Sequence, residues 1–308
     1  MNVVSAVVHD RFGDVSALTL QRRPEPPLAK GEVRIRVHVA GLNPVDWQIV
    51  ESERLGAAFG IAVPSGFGND FSGVIVEKDP AVTRWNVGDR VFGGARGVAV
   101  ATSFLLDEHH PGLHHTPDRI DDLIAGVLDI AGRTASAVAD ALDVRPGETI
   151  LIGAAAGGVG SILTQLLTRQ GARVIGTGSV SSFEFIRSLG AEPVEYGQDL
   201  ELQVRSIAGG PVKAAADLYG TETALVAISL GVQRHRIATI EADHPPAGVR
   251  MVNGSDAHPD ALDRLTDLIM AGHVRVPIAA VYDLHQIAEA VAFQRSRHAH
   301  GKVAITIP

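Results

Sequence analysis

A glycine-rich segment in the middle of the chain, TILIGAAAGGVG at 149–160, has the composition of a turn that binds a phosphate group. An apolar stretch precedes this turn and SILTQLLTRQ follows it, so the turn is predicted to join a strand to a helix. Glycines there let the backbone approach a pyrophosphate, and the helix N-terminus supplies amide donors and a favourable dipole. A glycine triplet alone would also suit a simple tight turn, but this context predicts a dinucleotide site. Its predicted lining residues are Ala156, Gly157, Gly158, Val159 and Gly160.

The residues after the next predicted strand indicate which dinucleotide binds. In an NAD site an Asp or Glu about 20 residues beyond the turn accepts hydrogen bonds from the ribose 2′-hydroxyl. Here RVIGT is followed by GSVSS, and no carboxylate occurs before Glu184. The hydroxyl of Ser179 can accommodate a 2′-phosphate, and Tyr196 at the end of the following strand can cover the same ribose. NADPH is therefore the predicted cofactor, while Ser181 or Ser182 can also cap the helix that follows.

Two regions with different patterns must position these residues. Up to about residue 119, short apolar runs alternate with turns, and EVRIRVHV has the alternation of a half-buried strand. A helical pattern follows over 120–128, with Gly132 predicted to interrupt it before a second helix ends near Leu142. From Thr149 strands and helices alternate, which predicts right-handed βαβ units and a doubly wound parallel sheet. The last elements, ending in KVAITIP, are expected to return to the β region, so the fold class is α/β.

Composition excludes several classes of function. The chain has 308 residues, no cysteine and a net charge of −8, so disulfides, thiolate metal sites and Cys nucleophiles are absent, and binding to nucleic acid is not expected. The N-terminus lacks the pattern of a signal peptide, which predicts a cytoplasmic protein. The uncharged stretch 149–168 is as long as a membrane span, but its four glycines argue against membrane insertion. Neighbouring histidines at 109–110 and 114–115 are interpreted as an adventitious surface metal site at most.

Several motifs together resemble the zinc-independent medium-chain dehydrogenase/reductases, the NADPH:quinone oxidoreductase or zeta-crystallin-like group. They are AGLNPVDW (40–47), PSGFGNDFSG (64–73), VGDRVFG (87–93), GRTA (132–135), GAAAGGVGS and HGKVAITIP. The resemblance implies a GroES-like β domain formed by residues 1–118 and 274–308, with a Rossmann domain of residues 119–273 inserted in it. It also implies an active cleft between the two domains and a homodimer.

The same resemblance suggests catalytic residues. Zinc-dependent relatives carry a Cys at the place of Asn43 and a His at the place of Asn69, so no metal site is expected here. The Asn43 amide can donate to a substrate carbonyl oxygen or hold the nicotinamide ribose. Thr134 corresponds to a threonine near the nicotinamide in the family, although a helical threonine can equally bond to its own backbone. Asp46 and Asp70 are interpreted as structural carboxylates.

These features predict an NADPH-dependent enzyme that transfers hydride to a quinone or an α,β-unsaturated carbonyl compound without zinc. An enoyl-thioester reductase is the enzymatic alternative. A non-catalytic NADPH-binding protein with a structural or sensing role is the alternative from another class. The loop 48–63 holds no tyrosine and no other chemically decisive residue, so the sequence does not select the acceptor.

Overall fold

The computed structural model describes residues 3–241 and 244–308. The strands are β1 (Val3–His9), β2 (Thr19–Pro24), β3 (Glu32–Leu42), β4 (Ser65–Gly66), β5 (Asp70–Lys78), β6 (Arg90–Gly94), β7 (Ser103–Asp107), β8 (Leu113–His115), β9 (Thr149–Ile152), β10 (Arg173–Gly178), β11 (Ala191–Glu195), β12 (Val212–Asp217), β13 (Ile237–Thr239), β14 (Arg250–Met251), β15 (Ile278–Asp283) and β16 (Lys302–Thr306). The helices are α1 (Pro44–Glu51), α2 (Glu53–Ala58), α3 (Asp122–Ala125), α4 (Asp129–Leu142), α5 (Gly158–Arg169), α6 (Phe183–Ser188), α7 (Leu200–Ile207), α8 (Glu222–Ser229), α9 (Ala261–Met270) and α10 (Ile287–Arg295).

The first of two compact units is a β domain built from both ends of the chain, the part up to Ile130 and Ile278–Pro308. Its main sheet has the order β15-β16-β3-β5-β6-β8, and β7 also pairs with β3. Strand β16 runs antiparallel to β3, which brings the C-terminal segment into the sheet as predicted. In β3 the alternating apolar residues Val33, Ile35 and Val37 are fully buried, because the hydrophobic core lies on that face of the sheet.

The second unit, Ala131–Pro277, is a doubly wound α/β domain. Its parallel sheet has the order β11-β10-β9-β12-β13-β14, so the direction of winding reverses between β9 and β12. Ligands of such sheets bind at the carboxyl ends of the strands beside this reversal. The predicted Rossmann architecture is therefore confirmed, and the unit has a hydrophobic core of its own.

Residues 274–277 lie with the second unit and residues 119–130 with the first, whereas the family resemblance implied the opposite assignment for both segments. For residues 119–130 the physical reason is a set of polar contacts made by helix α3. The Asp122 carboxylate accepts a hydrogen bond from Arg90 at 2.6 Å and contacts His38 Nδ1 at 2.6 Å, and the Asp122 carbonyl accepts one from the Ser72 hydroxyl. The short helix is thus tied to β3, β5 and β6.

The predicted break at Gly132 is wrong, because α4 runs through that residue without interruption. The helical pattern breaks instead at Gly126. A Cβ on Gly126 would lie 2.8 Å from Val39 Cβ and 2.9 Å from Ser72 Oγ, so close packing on the sheet requires glycine there. Among the helices of the described ranges, none combines the length and apolar character needed to cross a membrane.

Candidate active site

The glycine-rich turn lies where the sequence placed it, between the carboxyl end of β9 and the start of α5. Gly157 is the N-cap residue of α5, and the Ser161 amide donates to the Gly157 carbonyl at 2.9 Å as a first helical hydrogen bond. The amides of Gly158, Val159 and Gly160 precede that bond, so the helix offers them no carbonyl partner. This arrangement supplies the donors that an anionic phosphate requires.

Gly157 and Gly160, at the start of α5, have different surroundings. A Cβ on Gly160 would lie 2.3 Å from the Ala154 carbonyl oxygen and 2.8 Å from Ala155 Cα, so Gly160 is required for packing the helix against the turn. A Cβ on Gly157 would meet nothing closer than the Ala154 carbonyl oxygen at 3.4 Å. The backbone at Gly157 is therefore open to a ligand, and the residues present fit the pyrophosphate of a dinucleotide.

Ser179 and Tyr196 lie beside each other at the same edge of the sheet. Strands β10 and β11 are parallel, with Gly178 opposite Glu195, and the two predicted residues directly follow that pair. The Ser179 hydroxyl contacts the Ser181 hydroxyl at 2.9 Å, and Tyr196 is 56% exposed. Ser182, one of the two expected positions, is the N-cap residue of α6, but its hydroxyl makes no capping hydrogen bond and donates to the Ser179 carbonyl instead.

Sequence reasoning missed two carboxylates at the edge that carries the glycine-rich turn. Glu195 ends β11 one residue before Tyr196 and is exposed. Asp217 ends β12, is fully buried and accepts hydrogen bonds from the amides of Tyr219 (3.1 Å) and Ala224 (2.9 Å). Burial raises the pKa of Asp217 to about 6. The sequence did not show which strands are neighbours in the sheet, and therefore did not show that both carboxylates lie at this edge.

In the first unit, Asn43 lies where the ends of three strands meet. It directly follows β3, whose Leu42 is opposite Val303 of β16 and whose Gly41 is opposite Asp70 of β5. Lys302 therefore lies on one side of Asn43, and Asp70 lies on the other side. All three residues are buried, with 3% exposure for Asn43 and Lys302 and none for Asp70.

The Lys302 ammonium group is the centre of this buried cluster. It donates to Asn43 Oδ1 and to the Leu42 carbonyl (3.2 Å), and it forms an ion pair with Asp70 Oδ2 at 3.4 Å. Asn43 Nδ2 is buried and, within residues 3–241 and 244–308, makes no hydrogen bond of normal geometry, although it lies near enough to Asp46 to lower the pKa of that carboxyl group. The amide of Asn69, by contrast, donates to Asp70 Oδ1 at 3.2 Å and to Asp129 Oδ2 at 3.4 Å. Of these two amides, Asn43 alone keeps a donor for a ligand.

Asp46 and Asp70 have the structural contacts that the sequence predicted. Asp46 accepts a hydrogen bond from the Asn43 backbone amide at 2.8 Å, and Asp70 accepts one from the Ile130 amide at 3.2 Å in addition to its ion pair. Burial, reinforced by the negative charge of Asp70, raises the pKa of Asp46 to about 7, although the Asn43 backbone amide, the Lys302 charge and the Asn43 side-chain amide act in the opposite direction. Asp46 is thus a carboxyl group that titrates near neutrality.

Thr134 belongs to the other unit, where it is buried in α4. A Cβ on Gly254 would lie 3.2 Å from its hydroxyl oxygen, so the loop before α9 passes close to it. The back-bonding hydroxyl of this helix is that of Ser136, which donates to the Gly132 carbonyl at 2.9 Å. Of the predicted site residues, Asn43 thus lies in the first unit beside Lys302, whereas Thr134, Ser179 and Tyr196 lie in the second unit.

The neighbouring histidines have separate packing roles. The His115 ring packs on Trp85 with centroids 4.2 Å apart, and His114 lies beside Phe92 at 5.6 Å. His110 Nδ1 accepts a hydrogen bond from the Gly112 amide at 3.1 Å. Within residues 3–241 and 244–308, no three or more His, Asp or Glu side chains are grouped as they would be to hold a metal ion.

Comparison with known families gives two matches that together cover both units. The family described as "Alcohol dehydrogenase GroES-like domain" matches residues 29–111, and the family described as "Zinc-binding dehydrogenase" matches residues 189–305. The structure is similar to that of the quinone oxidoreductase from Coxiella burnetii, with a TM-score of 0.84, 26% identity and coverage of 100% of both chains.

Curated relatives include single enzymes and much longer proteins. The NADPH-dependent alkenal/one oxidoreductase of Arabidopsis thaliana chloroplasts is 27% identical over 98% of this chain and 79% of its own length. The spectinabilin polyketide synthase system protein NorB of Streptomyces orinoci is 30% identical over 96% of this chain. The chain spans only 14% of the length of NorB, and 5–8% of the length of three further polyketide synthases.

Proposed function

Because the chain belongs to the quinone oxidoreductase family of the medium-chain dehydrogenase/reductases, we propose that it is an NADPH-dependent reductase of quinones or α,β-unsaturated carbonyl compounds that works without zinc. The observation that carries this proposal is the carboxyl edge of the parallel sheet. An open glycine-rich turn, Ser179 and Tyr196 follow three adjacent strands there. The name of the Arabidopsis relative, which includes both NADPH and alkenal/one, supports the same cofactor and acceptor class.

The residues of that edge would hold the cofactor. The free amides of Gly158, Val159 and Gly160 would bind the pyrophosphate, and the open backbone at Gly157 would let it approach. Ser179 would donate to the 2′-phosphate and Tyr196 would cover the ribose. When bound, NADPH supplies the hydride that reduces the acceptor.

Asn43 would supply the electrophilic contact. Its unpaired Nδ2 group is a neutral donor, suited to an acceptor carbonyl oxygen that gains negative charge or to a ribose hydroxyl of the cofactor. An amide can donate a hydrogen bond to this oxygen without changing its own charge. The proton that completes the reduction of an enone would come from solvent, and Thr134 is the further residue that we propose beside the nicotinamide.

A second candidate is an enoyl-thioester reductase, because the chain matches segments of polyketide synthases and shares its fold with the CurK enoyl reductase, with a TM-score of 0.83 and 21% identity. Both reactions reduce a carbon–carbon double bond conjugated to a carbonyl group, so the same donor at Asn43 would serve either. The two candidates differ in the group attached to that carbonyl.

The experiment is a measurement of NADPH oxidation against quinones, enones and crotonyl thioesters, with Asn43→Ala as the matched control for contaminating reductases. Turnover of quinones or enones that falls in the control variant supports the main proposal, and turnover of thioesters alone supports the second candidate. Tight NADPH binding without oxidation by any acceptor would contradict both and favour a non-catalytic NADPH-binding protein.

A further inference from the structure

The contact between Lys302 and Asn43 determines which end of the Asn43 amide is available to a ligand. An ammonium group has three donors and no acceptor, so only the oxygen of a carboxamide can face it. Lys302 donates to Asn43 Oδ1, and Nδ2 therefore occupies the other position of the amide plane. The opposite orientation would direct the NH₂ group at the ammonium, leaving donor against donor in a buried site.

Lys302 is itself held firmly enough to impose this orientation. Its other contacts are the Leu42 carbonyl and the Asp70 carboxylate, and the carboxylate has no exposed surface. A buried ammonium requires such partners, because an unpaired charge in the interior is costly. Its position also follows from the pairing of β16 with β3, in which Val303 lies opposite Leu42, so that the neighbouring residues Lys302 and Asn43 are brought together. The ammonium cannot leave without breaking the buried ion pair.

We propose that Lys302 is a positioning residue that holds Asn43 with Nδ2 as the donor and strengthens that donor by polarising the amide through Oδ1. The polarisation follows from the cooperativity of hydrogen bonds in a low-dielectric interior. This inference rests on the proposed function, in which Asn43 donates to the acceptor or the cofactor. A purely structural Lys302, which only ties β16 to β3, would leave the orientation of the amide unaffected.

The first readout uses the free protein and requires no catalysis. The chain has five asparagines, so labelling with [¹⁵N]Asn gives five side-chain NH₂ signals by NMR, of which that of Asn43 is assigned by its loss in Asn43→Asp. Asp70→Asn retains the ammonium, and Asp70→Asn combined with Lys302→Met removes it without leaving an unpaired buried carboxylate. We expect the Asn43 signal to shift or broaden between these two variants, while the exposed Asn86 signal stays unchanged.

The second readout is chemical rescue, which the absence of cysteine makes specific to one site. Lys302→Cys would be alkylated with 2-bromoethylamine in denaturant and refolded, which restores an ammonium at nearly the length of lysine. Wild-type protein taken through the same treatment has no thiol to react and is the control. We expect kcat to fall by about 10²-fold in Lys302→Cys, with little change in the KM for NADPH, and to recover after alkylation.

An Asn43 NH₂ signal that does not respond to the loss of Lys302 would overturn the proposal, as would a refolded, aminoethylated protein that stays inactive while the treated wild type recovers. Failure of the proposed function would look different. In that case the Asn43→Ala variant would turn over every acceptor at the wild-type rate, although the Asn43 NH₂ signal of the unmodified residue would still respond to the loss of Lys302. The positioning role of Lys302 would then be rejected together with the catalytic role of Asn43.

Discussion

Among single residues, the buried side-chain amides of Asn43 and Asn69 differ in how many of their hydrogen-bond donors are paired within the protein. Asn69 uses its amide on two carboxylates, whereas Asn43 keeps its NH₂ group unpaired beside a buried ion pair. A buried donor without a partner costs about 1–3 kcal/mol, so a ligand oxygen that pairs with it recovers that free energy. This unequal use of the two amides is the reason why we propose Asn43, and not Asn69, as the donor to the acceptor or to the cofactor ribose.

Asn43→Ala is expected to lower kcat by about 10²-fold on an enone, because one preorganised donor contributes roughly 3 kcal/mol to transition-state stabilisation. Quinones should lose less, since their developing charge is delocalised. Asn43→Asp keeps the contact with Lys302 but removes the donor, so it should be as slow as Asn43→Ala. Steady-state kinetics and thermal melting check this, with exposed Asn86→Ala as control. A loss of thermal stability with unchanged turnover would make Asn43 a loop residue only.

Asp46 is expected to make the free energy of unfolding fall as the pH rises from about 4 to about 7. Its folded-state pKa of about 7 lies above the ordinary value of 3.8, so in that window the folded chain holds a proton that the unfolded chain has released. Asp46→Asn should remove this contribution and gain more stability at pH 8 than at pH 5. Urea denaturation at both pH values measures it, with exposed Asp118→Asn as control. An equal effect of Asp46→Asn at both pH values would contradict the assignment.

At the scale of secondary-structure elements, the site depends on where strands end. The turn after β9 and the residues after β10 and β11 share an edge because the three strands are parallel neighbours. Gly157 and Gly160 occupy different surroundings within that turn, one open and one packed. Alanine at each position therefore separates ligand binding from folding.

Gly157→Ala is expected to leave the melting temperature nearly unchanged, because its φ of −74° suits alanine and the new Cβ meets nothing closer than 3.4 Å. It should nevertheless weaken NADPH binding by about tenfold, since the methyl group lies where the pyrophosphate approaches. Gly160→Ala should cost about 1–3 kcal/mol in stability through overpacking. Calorimetric melting and fluorescence titration compare the pair, and equal losses of stability would show that Gly157 is also a packing residue.

Ser179→Asp is expected to reverse the preference for NADPH over NADH. The carboxylate would repel a 2′-phosphate, with about a tenfold loss of affinity, and would accept hydrogen bonds from a free 2′-hydroxyl. The preference of the wild type should be modest, because Glu195 lies at the same edge and GSVSS contains no basic residue. Exposed Ser206→Asp controls for added charge. Tighter binding of NADH by the unmodified protein would reject the roles of Ser179 and Tyr196.

The sequence predicted local features better than long-range ones. The positions of Gly157, Ser179 and Tyr196 after β9, β10 and β11 follow from the alternation of strands and helices along the chain, and their roles stay predictions. Lys302 was not found as a site residue, because its contact with Asn43 depends on the register between strands about 260 residues apart. Gly132 was misinterpreted as a helix break, since only tertiary packing distinguishes it from Gly126.

At the scale of the whole molecule, two separately packed units carry two sets of predicted residues, and the homodimer stays a prediction. The matching family is described as zinc-binding, yet this chain has no cysteine and places asparagine at positions 43 and 69. The reaction that we propose therefore uses nicotinamide chemistry assisted by an amide donor, without a Lewis-acid metal.

Deuterium transfer by chelator-treated protein distinguishes hydride transfer from the nicotinamide without zinc from a zinc-dependent reaction. The protein would be dialysed against a chelator, checked for zinc by elemental analysis, and mixed with an enone and NADPH carrying deuterium at either face of nicotinamide C4. We predict less than a tenth of an equivalent of zinc as a rough upper limit, undiminished turnover, and one deuterium on the β-carbon of the product from one of the two labelled cofactors. Loss of turnover together with one equivalent of zinc per chain, or a product free of deuterium from both cofactors, would contradict the account.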